Sequence, residues 1–297
     1  MLLCENGNCV TEHIPVFLDE FLKFCPKMTH GSYLDLTLGA GGHLRALLEN
    51  QKNWNAVARD RDPRAIERVQ NSFSSELMSR ISLVQGNFSE EEKSQLSFDY
   101  IFADLGVSSF QFDPELSGMS LNSELVLDFR MNPDEGDNFL TWLKKQNPRI
   151  LEDIFYGFGE EPKARKLAEA VWSADADVFK NAKSFSSFIA RVLAYKDSKR
   201  HPATRIFQAL RMAINQEVES LSSLLNWAPK RLKVGGRMGV ISFHSLEDRL
   251  VKKKWLSLES GGDFVILTKR PQSPSEGELV ANPRARSAKL RVIERVG

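Results

Sequence analysis

The 297-residue sequence predicts an α/β fold in which a parallel, doubly wound sheet is interrupted by a helical insertion. Short apolar runs alternate with helix-like segments from residue 14 to residue 105, which is the pattern of βαβ units. From about residue 110 to residue 199 the segments have helical periodicity, and no convincing buried strand is recognisable. The alternation resumes at residue 203 and continues to residue 295.

The first part of this pattern contains three helices and four strands. Helices are predicted at 14–24, at 43–50 and from Pro63 to residue 73, where the proline suits the first helical position. Strands are predicted at 32–38, 54–58 (with Asp60 at its end), 81–84 and 98–105.

The insertion and the last part of the chain define the domain organisation. Helices are predicted inside the insertion at 137–146, 148–156, 160–173 and 184–196. After it come a long helix at 203–227, a strand entered through Gly235 and Gly236, a helix from Ser245, and two strands in DFVILTK and AKLRVIER. We therefore predict a sheet domain of residues 1–109 and 203–297, and an inserted helical substrate-recognition domain of residues 110–202.

Composition limits the class of protein. The chain is 42% hydrophobic and 27% charged, and it has no apolar run near the ~20 residues that span a bilayer. The opening MLLCENGNCVTEH lacks the basic and apolar regions of a secretory signal. Three cysteines indicate a reducing, cytoplasmic compartment rather than a disulfide framework. Cys4, Cys9 and His13 fit no zinc spacing, so no metal site is predicted.

Charge is distributed unevenly along the chain. Residues 76–137 carry 13 acidic and 3 basic side chains, a net charge of −10, whereas residues 195–297 carry 20 basic and 10 acidic, a net charge of +10. This asymmetry is compatible with a polyanion-binding face, and also with ordinary solvated helix faces.

A glycine bend in DLTLGAGGH (35–43) predicts a cofactor site. The spacing of Gly39, Gly41 and Gly42 is neither the G-x-G-x-x-G of dinucleotide-binding folds nor a P-loop. Asp35 and the bend follow the first strand, where open α/β sheets bind ligands, and helix N–H groups after the bend face such a ligand. Asp60 ends the second strand, where an acid accepts hydrogen bonds from ribose hydroxyls. Together these features favour an adenosine-type cofactor.

Three further details favour S-adenosylmethionine over a nicotinamide cofactor. Asp35 suits an ammonium group better than a pyrophosphate. Phe88 follows the third strand, where an adenine could stack, and Asp104 ends the fourth strand, where methyltransferases of this fold face the reactive methyl group. Each detail also has a structural interpretation, because Asp35 could cap a turn and Phe88 could belong to the core.

Nine blocks between residues 13 and 295 resemble one family, in order: HIPVFLDE, DLTLGAGGH, RDRDPRAI, ADLGVSSFQFD, LDFRM, GEEPKARKLA, HPATRIFQALRMAINQE, ISFHSLEDRLVK and NPRARSAKLRVIER. The family is the bacterial cytosine-N4 methyltransferases of small-subunit ribosomal RNA (MraW/RsmH). The resemblance implies a Rossmann-like S-adenosylmethionine-dependent methyltransferase fold with an inserted all-helical domain. It also implies N4-methylation of a cytosine in the decoding region of 16S ribosomal RNA, within the assembled or assembling small subunit, with no membrane and no stable protein partner.

The resemblance assigns seven residues to the cofactor: Gly41, Gly42, His43, Asp60, Phe88, Asp104 and Gln111. The sequence departs from the family at ELVLDFRM (124–131), where glycine and proline are replaced by Leu125 and Val126. It also has Arg59 where an apolar residue is common before Asp60.

A cytosine amine is a poor nucleophile, so a hydrogen-bond acceptor beside it should assist attack. We predict that Asp104, Ser108 and Ser109, in the loop after the fourth strand, receive the amine. Ser242 and His244 follow the fifth strand and are second candidates. His244 could act as a general base or contact RNA, or it could only pin a turn.

Two basic clusters are candidates for contacts with RNA phosphates, which give affinity without sequence readout. They contain Lys199, Arg200, His201 and Arg205 beside the insertion boundary, and Arg284, Arg286, Lys289 and Arg291 near the end of the chain.

Three alternatives remain open from the sequence. Methylation of DNA or of free RNA would use the same cofactor residues. A cofactor-free RNA-binding or assembly protein could keep this fold, although the intact Asp35, Gly41, Gly42 and Asp60 argue against it. A nicotinamide-dependent oxidoreductase is disfavoured, because the bend is wrong and no residues for hydride chemistry are apparent.

Overall fold

The chain forms two compact units. One contains Met1–Gly106 and Glu219–Gly297 and is called the sheet unit below; the other contains Val107–Val218 and is called the helical unit. Apart from the side chain of Arg284, the computed structural model describes residues 15–90, 96–106, 115, 117–195 and 201–297.

A single sheet organises the sheet unit. Its strands are β1 (Gly31–Asp35), β2 (Trp54–Asp60), β3 (Ile81–Gln85), β4 (Phe98–Asp104), β5 (Leu232–Ser242), β6 (Phe264–Ile266) and β7 (Lys289–Arg295). Their order is β3-β2-β1-β4-β5-β7-β6, and β7 runs antiparallel to both of its neighbours while β1 to β5 are parallel. The predicted α/β fold is confirmed, with a strand at each of the seven predicted positions.

The described residues form twelve α-helices in the two units together. They are α1 (Leu18–Phe24), α2 (Gly42–Asn50), α3 (Pro63–Ser72), α4 (Ser75–Met78), α5 (Phe139–Lys144), α6 (Pro148–Gly157), α7 (Ala164–Trp172), α8 (Ala182–Leu193), α9 (Ala203–Ile214), α10 (Glu217–Trp227), α11 (Ser245–Ser260) and α12 (Glu276–Ala281). Short 3₁₀ segments occur at Ala176–Phe179, Ala228–Arg231 and Pro283–Ser287.

Alternate residues of the central strand β4 enter separate cores on the two faces of the sheet. Tyr100 and Phe102 pack with Phe21 on one face, whereas Ile101 and Ala103 pack with Trp255 on the other. All six side chains are at most 1% exposed. Because both faces are covered, the sheet presents its ligand-binding positions at its edge, where the strands end.

The helical unit has its own core. Within the described residues it contains no strand, and its buried cluster is rich in phenylalanine, including Phe129, Phe139, Phe155, Phe185 and Phe207. The sequence pattern predicts that residues from 203 onward belong to the sheet domain. In the structure, α9 belongs to the helical unit, because its apolar face is buried in this phenylalanine cluster.

The single helix predicted at 203–227 is two helices in the structure. It is interrupted at Gln216, whose φ is +52°. The preceding Asn215 uses its side chain to hold the segment near Phe129: its Nδ2 donates to Phe129 O at 2.7 Å, and its Oδ1 accepts from Met131 N at 2.8 Å. These bonds fix the end of α9, so α10 begins a separate helix whose apolar residues belong to the sheet unit.

Candidate active site

Three carboxylates lie side by side at one edge of the sheet. Asp35, Asp60 and Asp104 end β1, β2 and β4, and β1 is the strand between the other two. The chain runs from β1 outward to β2 and β3 and then returns to β4, so the row occupies the point where the winding changes direction.

Asp35 is buried at 3% exposure and is held by its own strand. Its Oδ2 accepts from the hydroxyl of Tyr33 at 3.1 Å, and its Oδ1 accepts from the N–H of Thr37 at 3.1 Å. Burial raises the pKa of Asp35 to about 7, against the lowering effect of these two hydrogen bonds. The charge of Asp60 adds to the rise. Asp35 therefore fixes a turn, and it also places a carboxyl group with a raised pKa where the strands end.

Asp60 ties the glycine bend to the end of β2. Its Oδ2 accepts from the N–H of Gly39 at 2.8 Å, and its Oδ1 accepts from the N–H of Asp62 at 2.8 Å. Burial raises the pKa of Asp60, although these hydrogen bonds lower it. The two carboxylate oxygens have four lone pairs, and the N–H of Arg61 uses a third, so the carboxylate can still accept a bond from a ligand hydroxyl.

The three glycines of the bend differ in how much space surrounds them. Gly41 has φ of +77°, and a Cβ on it would lie 2.8 Å from the Phe73 ring and 2.9 Å from Val69. A Cβ on Gly42 would lie 2.3 Å from the Pro15 ring. Packing of the chain on itself therefore accounts for Gly41 and Gly42, and the predicted close approach to a ligand is not needed to explain them. By contrast, a Cβ on Gly39 would meet nothing closer than 3.9 Å.

Asp104 carries the least satisfied polar atom of this row. Its Oδ1 is buried and has no hydrogen-bond partner among the described residues. Its backbone N–H donates to Oγ1 of Thr37 at 2.7 Å, which fixes the end of β4 against the end of β1. Burial raises the pKa of Asp104 to about 8, and the charges of Asp35 and Glu247 raise it further.

This donor set fits S-adenosylmethionine. Three neighbouring carboxylates with raised pKa values, of which Asp35 is buried and Asp60 and Asp104 are half-buried, favour a bound cation, because a positive charge among them restores their ionised forms. The orphaned Oδ1 of Asp104 is an acceptor for such a ligand or for the substrate amine. An acid at the end of β2 matches the ribose hydroxyls of an adenosine.

Phe88 and His43 lie in packed positions. Phe88 is half-buried against the core that contains Trp255, and its carbonyl accepts from the indole N–H of Trp227 at 3.1 Å. His43 is 8% exposed, its Nε2 lies 3.0 Å from Val16 O, and its ring contacts Phe21 and Phe102 in the opposite core. Their cofactor-binding roles stay predictions.

His244 begins the helix after β5 as its N-cap. Its Nδ1 accepts from the N–H of Glu247 at 3.4 Å, and Oε2 of Glu247 accepts from the N–H of Phe243 at 2.9 Å. His244 Nε2 lies 3.1 Å from Oε1 of Glu247, but without the angles of a hydrogen bond. The structure shows His244 as the N-cap of this helix, and its role as a general base or in RNA contact stays a prediction. Ser242 is buried, and its hydroxyl lies 3.5 Å from Lys289 O.

Sequence analysis missed three residues of this site: Tyr33, Thr37 and Glu247. Glu247 is 6% exposed, and its charge acts on Asp104. Its signal in the sequence is a glutamate three positions after a cap-forming residue, which is the spacing of a capping box. Tyr33 has the signal of alternation, because residues two apart on a strand point to the same face.

Several predicted site residues lie outside the described part of the chain: Ser108, Ser109, Gln111, Lys199 and Arg200, and the rejected metal candidates Cys4, Cys9 and His13. The position of Arg284 is described only for its backbone, in the Pro283–Ser287 segment.

The described basic residues are mostly engaged. In the helical unit, His201 Nδ1 accepts from the N–H of Ala203 at 3.2 Å, and Arg205 donates to Glu160 O and to the Glu161 carboxylate. Arg286 is exposed.

At the end of the chain, Lys289 and Arg291 both bind the carboxylate of Asp248, at 3.0 and 2.7 Å. Because Arg291 is 6% exposed, its predicted phosphate contact is wrong.

The two departures from the family pattern differ in their environment. Arg59 is buried at 5% exposure and donates to the carbonyls of Asn87 and Glu90 at 2.9 and 3.2 Å. It therefore fixes the segment after β3. Leu125 and Val126 are exposed at 43% and 77%, so they add apolar surface rather than core.

The strand order, the single antiparallel strand β7 and the row of acids beside a glycine bend define a Rossmann-like methyltransferase. The chain belongs to the MraW methylase family, whose sequence profile matches residues 10–296. It is 40% identical over 284 residues to the ribosomal RNA small subunit methyltransferase H of Cyanothece sp. (strain PCC 7425), with 96% of this chain and 95% of that protein covered.

The protein of the same name in Trichodesmium erythraeum is 39% identical over 286 residues, with 96% of this chain and 99% of that protein covered. The crystal structure of an rRNA methylase from Streptococcus thermophilus aligns with a TM-score of 0.41 at 11% identity, covering 94% of this chain and 93% of that one. Among the described residues, no helix combines the length and apolar character of a membrane span.

Proposed function

We propose that this methyltransferase uses S-adenosylmethionine to methylate the exocyclic N4 amine of a cytosine in the decoding region of 16S ribosomal RNA. Relatives about 40% identical over nearly their whole length are named for methylation of small-subunit ribosomal RNA. The nine family blocks supply the choice of cytosine N4 and of the decoding region. The substrate is the assembled or assembling small subunit, which implies a cytoplasmic location.

The row of three carboxylates carries this proposal. Asp60 would hold the ribose hydroxyls, and Asp35 would hold the ammonium group of the amino acid. Phe88 and the N-terminus of α2 after Gly41 and Gly42 would complete the pocket, together with His43 and Gln111. When bound, S-adenosylmethionine supplies an electrophilic methyl group on a sulfonium ion.

Asp104 is the residue we assign to the substrate amine. The lone pair of a cytosine amine is delocalised into the ring, so an acceptor for an N–H of this amine localises the pair on nitrogen. Oδ1 of Asp104 is a buried acceptor with no partner among the described residues. Because a cation bound in this row favours the ionised form of Asp104, its carboxylate would take the proton that the amine loses as the N–C bond forms. Ser108 and Ser109 would leave room for the base and bind its edge.

The remaining predicted residues support this chemistry. His244 would influence the reacting groups through Glu247, because the charge of Glu247 raises the pKa of Asp104. Lys199, Arg200, His201, Arg205, Arg284 and Arg286 would contact RNA phosphates. The target cytosine must be unstacked or single-stranded to reach the methyl group.

The test is transfer of labelled methyl from S-adenosylmethionine to small ribosomal subunits, naked 16S RNA and DNA, followed by digestion and mass identification of the nucleosides. We expect N4-methylcytidine from the ribosomal substrate, and a loss of at least 100-fold in rate for Asp104→Asn. Asp60→Asn should instead weaken cofactor binding. Label in DNA or on another base would contradict the proposed substrate. Absence of cofactor binding would favour an assembly protein.

A further inference from the structure

The acidic and the basic side chains of helix α11 have different environments. Its 16 residues carry four cations, Arg249 and 252–254, and three acids, Glu247, Asp248 and Glu259. From the sequence this helix is close to neutral. The structure shows that the acids have partners within the sheet unit, whereas most of the cations are exposed.

Each acid of α11 is bound within the sheet unit. Glu247 is buried and accepts from the N–H of Phe243 at 2.9 Å. Asp248 accepts from Lys289 and Arg291 at 3.0 and 2.7 Å. Glu259 accepts from the N–H of Ile266 at 2.9 Å.

Three cations of α11 face solvent. Arg249, Lys252 and Lys253 are exposed, and none makes a hydrogen bond or ion pair within the part of the chain that the structure describes. Spacings of three and four residues place them on one side of the helix, about 5–6 Å apart between Cβ atoms. The fourth cation, Lys254, donates to Oδ1 of Asn226 at 2.8 Å and belongs to another face. The basic face of α11, defined as Arg249, Lys252 and Lys253, therefore presents three exposed positive charges, and the neighbouring Asp248 is bound to Lys289 and Arg291 instead.

This face begins beside the candidate active site. Helix α11 starts directly after β5, and its first turn contains His244 as N-cap and Glu247, whose charge acts on Asp104. Arg249 follows Glu247 by two positions.

We propose that the basic face of α11 binds the phosphate backbone of the RNA that flanks the target cytosine. This inference rests on the proposed function and adds a surface that the sequence analysis does not assign. Exposed lysine and arginine side chains bind phosphates as point charges without reading sequence. The three side chains are exposed along one side of a helix, so their charges suit a flexible polyanion.

The test compares three triple variants for binding of a labelled decoding-region RNA fragment at several salt concentrations. Arg249→Gln/Lys252→Gln/Lys253→Gln removes the charges, and Arg249→Lys/Lys252→Arg/Lys253→Arg keeps them. The matched control, Lys23→Gln/Lys27→Gln/Lys52→Gln, removes three exposed charges near the amino ends of β1 and β2, away from the acidic row.

We expect the α11 glutamine variant to bind RNA about 10- to 50-fold more weakly near 0.15 M salt, with a salt slope smaller by about 2. Its KM for RNA should rise while its Kd for S-adenosylmethionine stays unchanged. The charge-keeping variant and the control should match the parent. Equal RNA affinity and salt slope in the parent and the α11 glutamine variant would overturn the assignment while leaving the proposed function intact.

A parent chain that neither binds nor methylates RNA would overturn both proposals. If the α11 glutamine variant bound an acidic protein more weakly than the parent while its RNA binding stayed unchanged, the face would belong to a protein partner. That result would also overturn the inference.

Discussion

Oγ1 of Thr37 accepts a hydrogen bond from the backbone N–H of Asp104 at 2.7 Å, while the N–H of Thr37 donates to Oδ1 of Asp35 at 3.1 Å. One residue after β1 therefore sets the positions of two of the three acids. Thr37 makes both hydrogen bonds. Its bond to Asp104 connects the ends of β1 and β4 through residues that are 67 positions apart in the sequence.

Replacing Thr37 by valine should weaken cofactor binding. The substitution keeps the shape and the N–H bond to Asp35 but leaves the N–H of Asp104 without its acceptor, at a cost of about 1–3 kcal/mol. We expect a fall of several degrees in the melting temperature and a rise of about tenfold in the Kd for S-adenosylmethionine, measured by calorimetry. Thr37→Ser keeps the hydroxyl and should stay near the parent value; equal losses in both variants would contradict the role of this bond.

The acidic row should make stability depend on pH. The pKa of Asp104 is about 8 in the folded chain and about 4 when unfolded, so the folded state holds more protons across this range. The free energy of unfolding therefore falls as the pH rises from about 4 to 8, by up to about 1.4 kcal/mol per pH unit for this group. Asp35 contributes in the same direction up to about pH 7.

Urea unfolding of the ligand-free protein at pH 5, 6, 7 and 8 measures this effect. Asp104→Asn imitates the protonated side chain, so it should be as stable as the parent at pH 5 and more stable at pH 8. A parent and variant with the same pH slope would show that Asp104 titrates normally.

The glycines of the bend should differ in their tolerance of alanine. Gly41→Ala places a Cβ 2.8 Å from Phe73 and 2.9 Å from Val69 at a φ of +77°, so strain and a clash act together. We expect a loss of about 2–4 kcal/mol in the free energy of unfolding. Gly39→Ala has φ of +53° and open space, so it should lose only about 1 kcal/mol. Similar losses at both positions in urea titrations would mean that α3 yields to the new methyl group.

Much of the fold was predictable because its signals are local. Short apolar runs alternate with helical segments, so each of the seven strands could be placed, and the acids at strand ends marked the binding edge. The break at Gln216 was not predictable, because it depends on the side chain of Asn215 reaching Phe129, 86 residues earlier in the chain. Apolar periodicity alone continues through this point, so one long helix was predicted.

The candidate site was predictable at its acids and less so at its supporting residues. Asp35, Asp60 and Asp104 follow from their places at strand ends, whereas Thr37 and Glu247 act across strands and helices. The roles of basic residues were the hardest to predict, because the sequence does not show which charges are paired. Arg291 is buried against Asp248, while the cations on α11 face solvent.

Substitutions of His244 distinguish a capping role of its side chain from a catalytic role. As N-cap of α11, its Nδ1 accepts from the N–H of Glu247, a role that asparagine can fill and alanine cannot. We expect His244→Ala to lose about 1 kcal/mol in the free energy of unfolding, and His244→Asn to recover most of it. If capping is its role, the methyl-transfer kcat of His244→Asn should stay within about threefold of the parent, whereas a general base would lose about 10²–10⁴-fold. Stability by urea titration and single-turnover methyl transfer on the same preparations decide the matter, because a stable but inactive His244→Asn would assign His244 to catalysis.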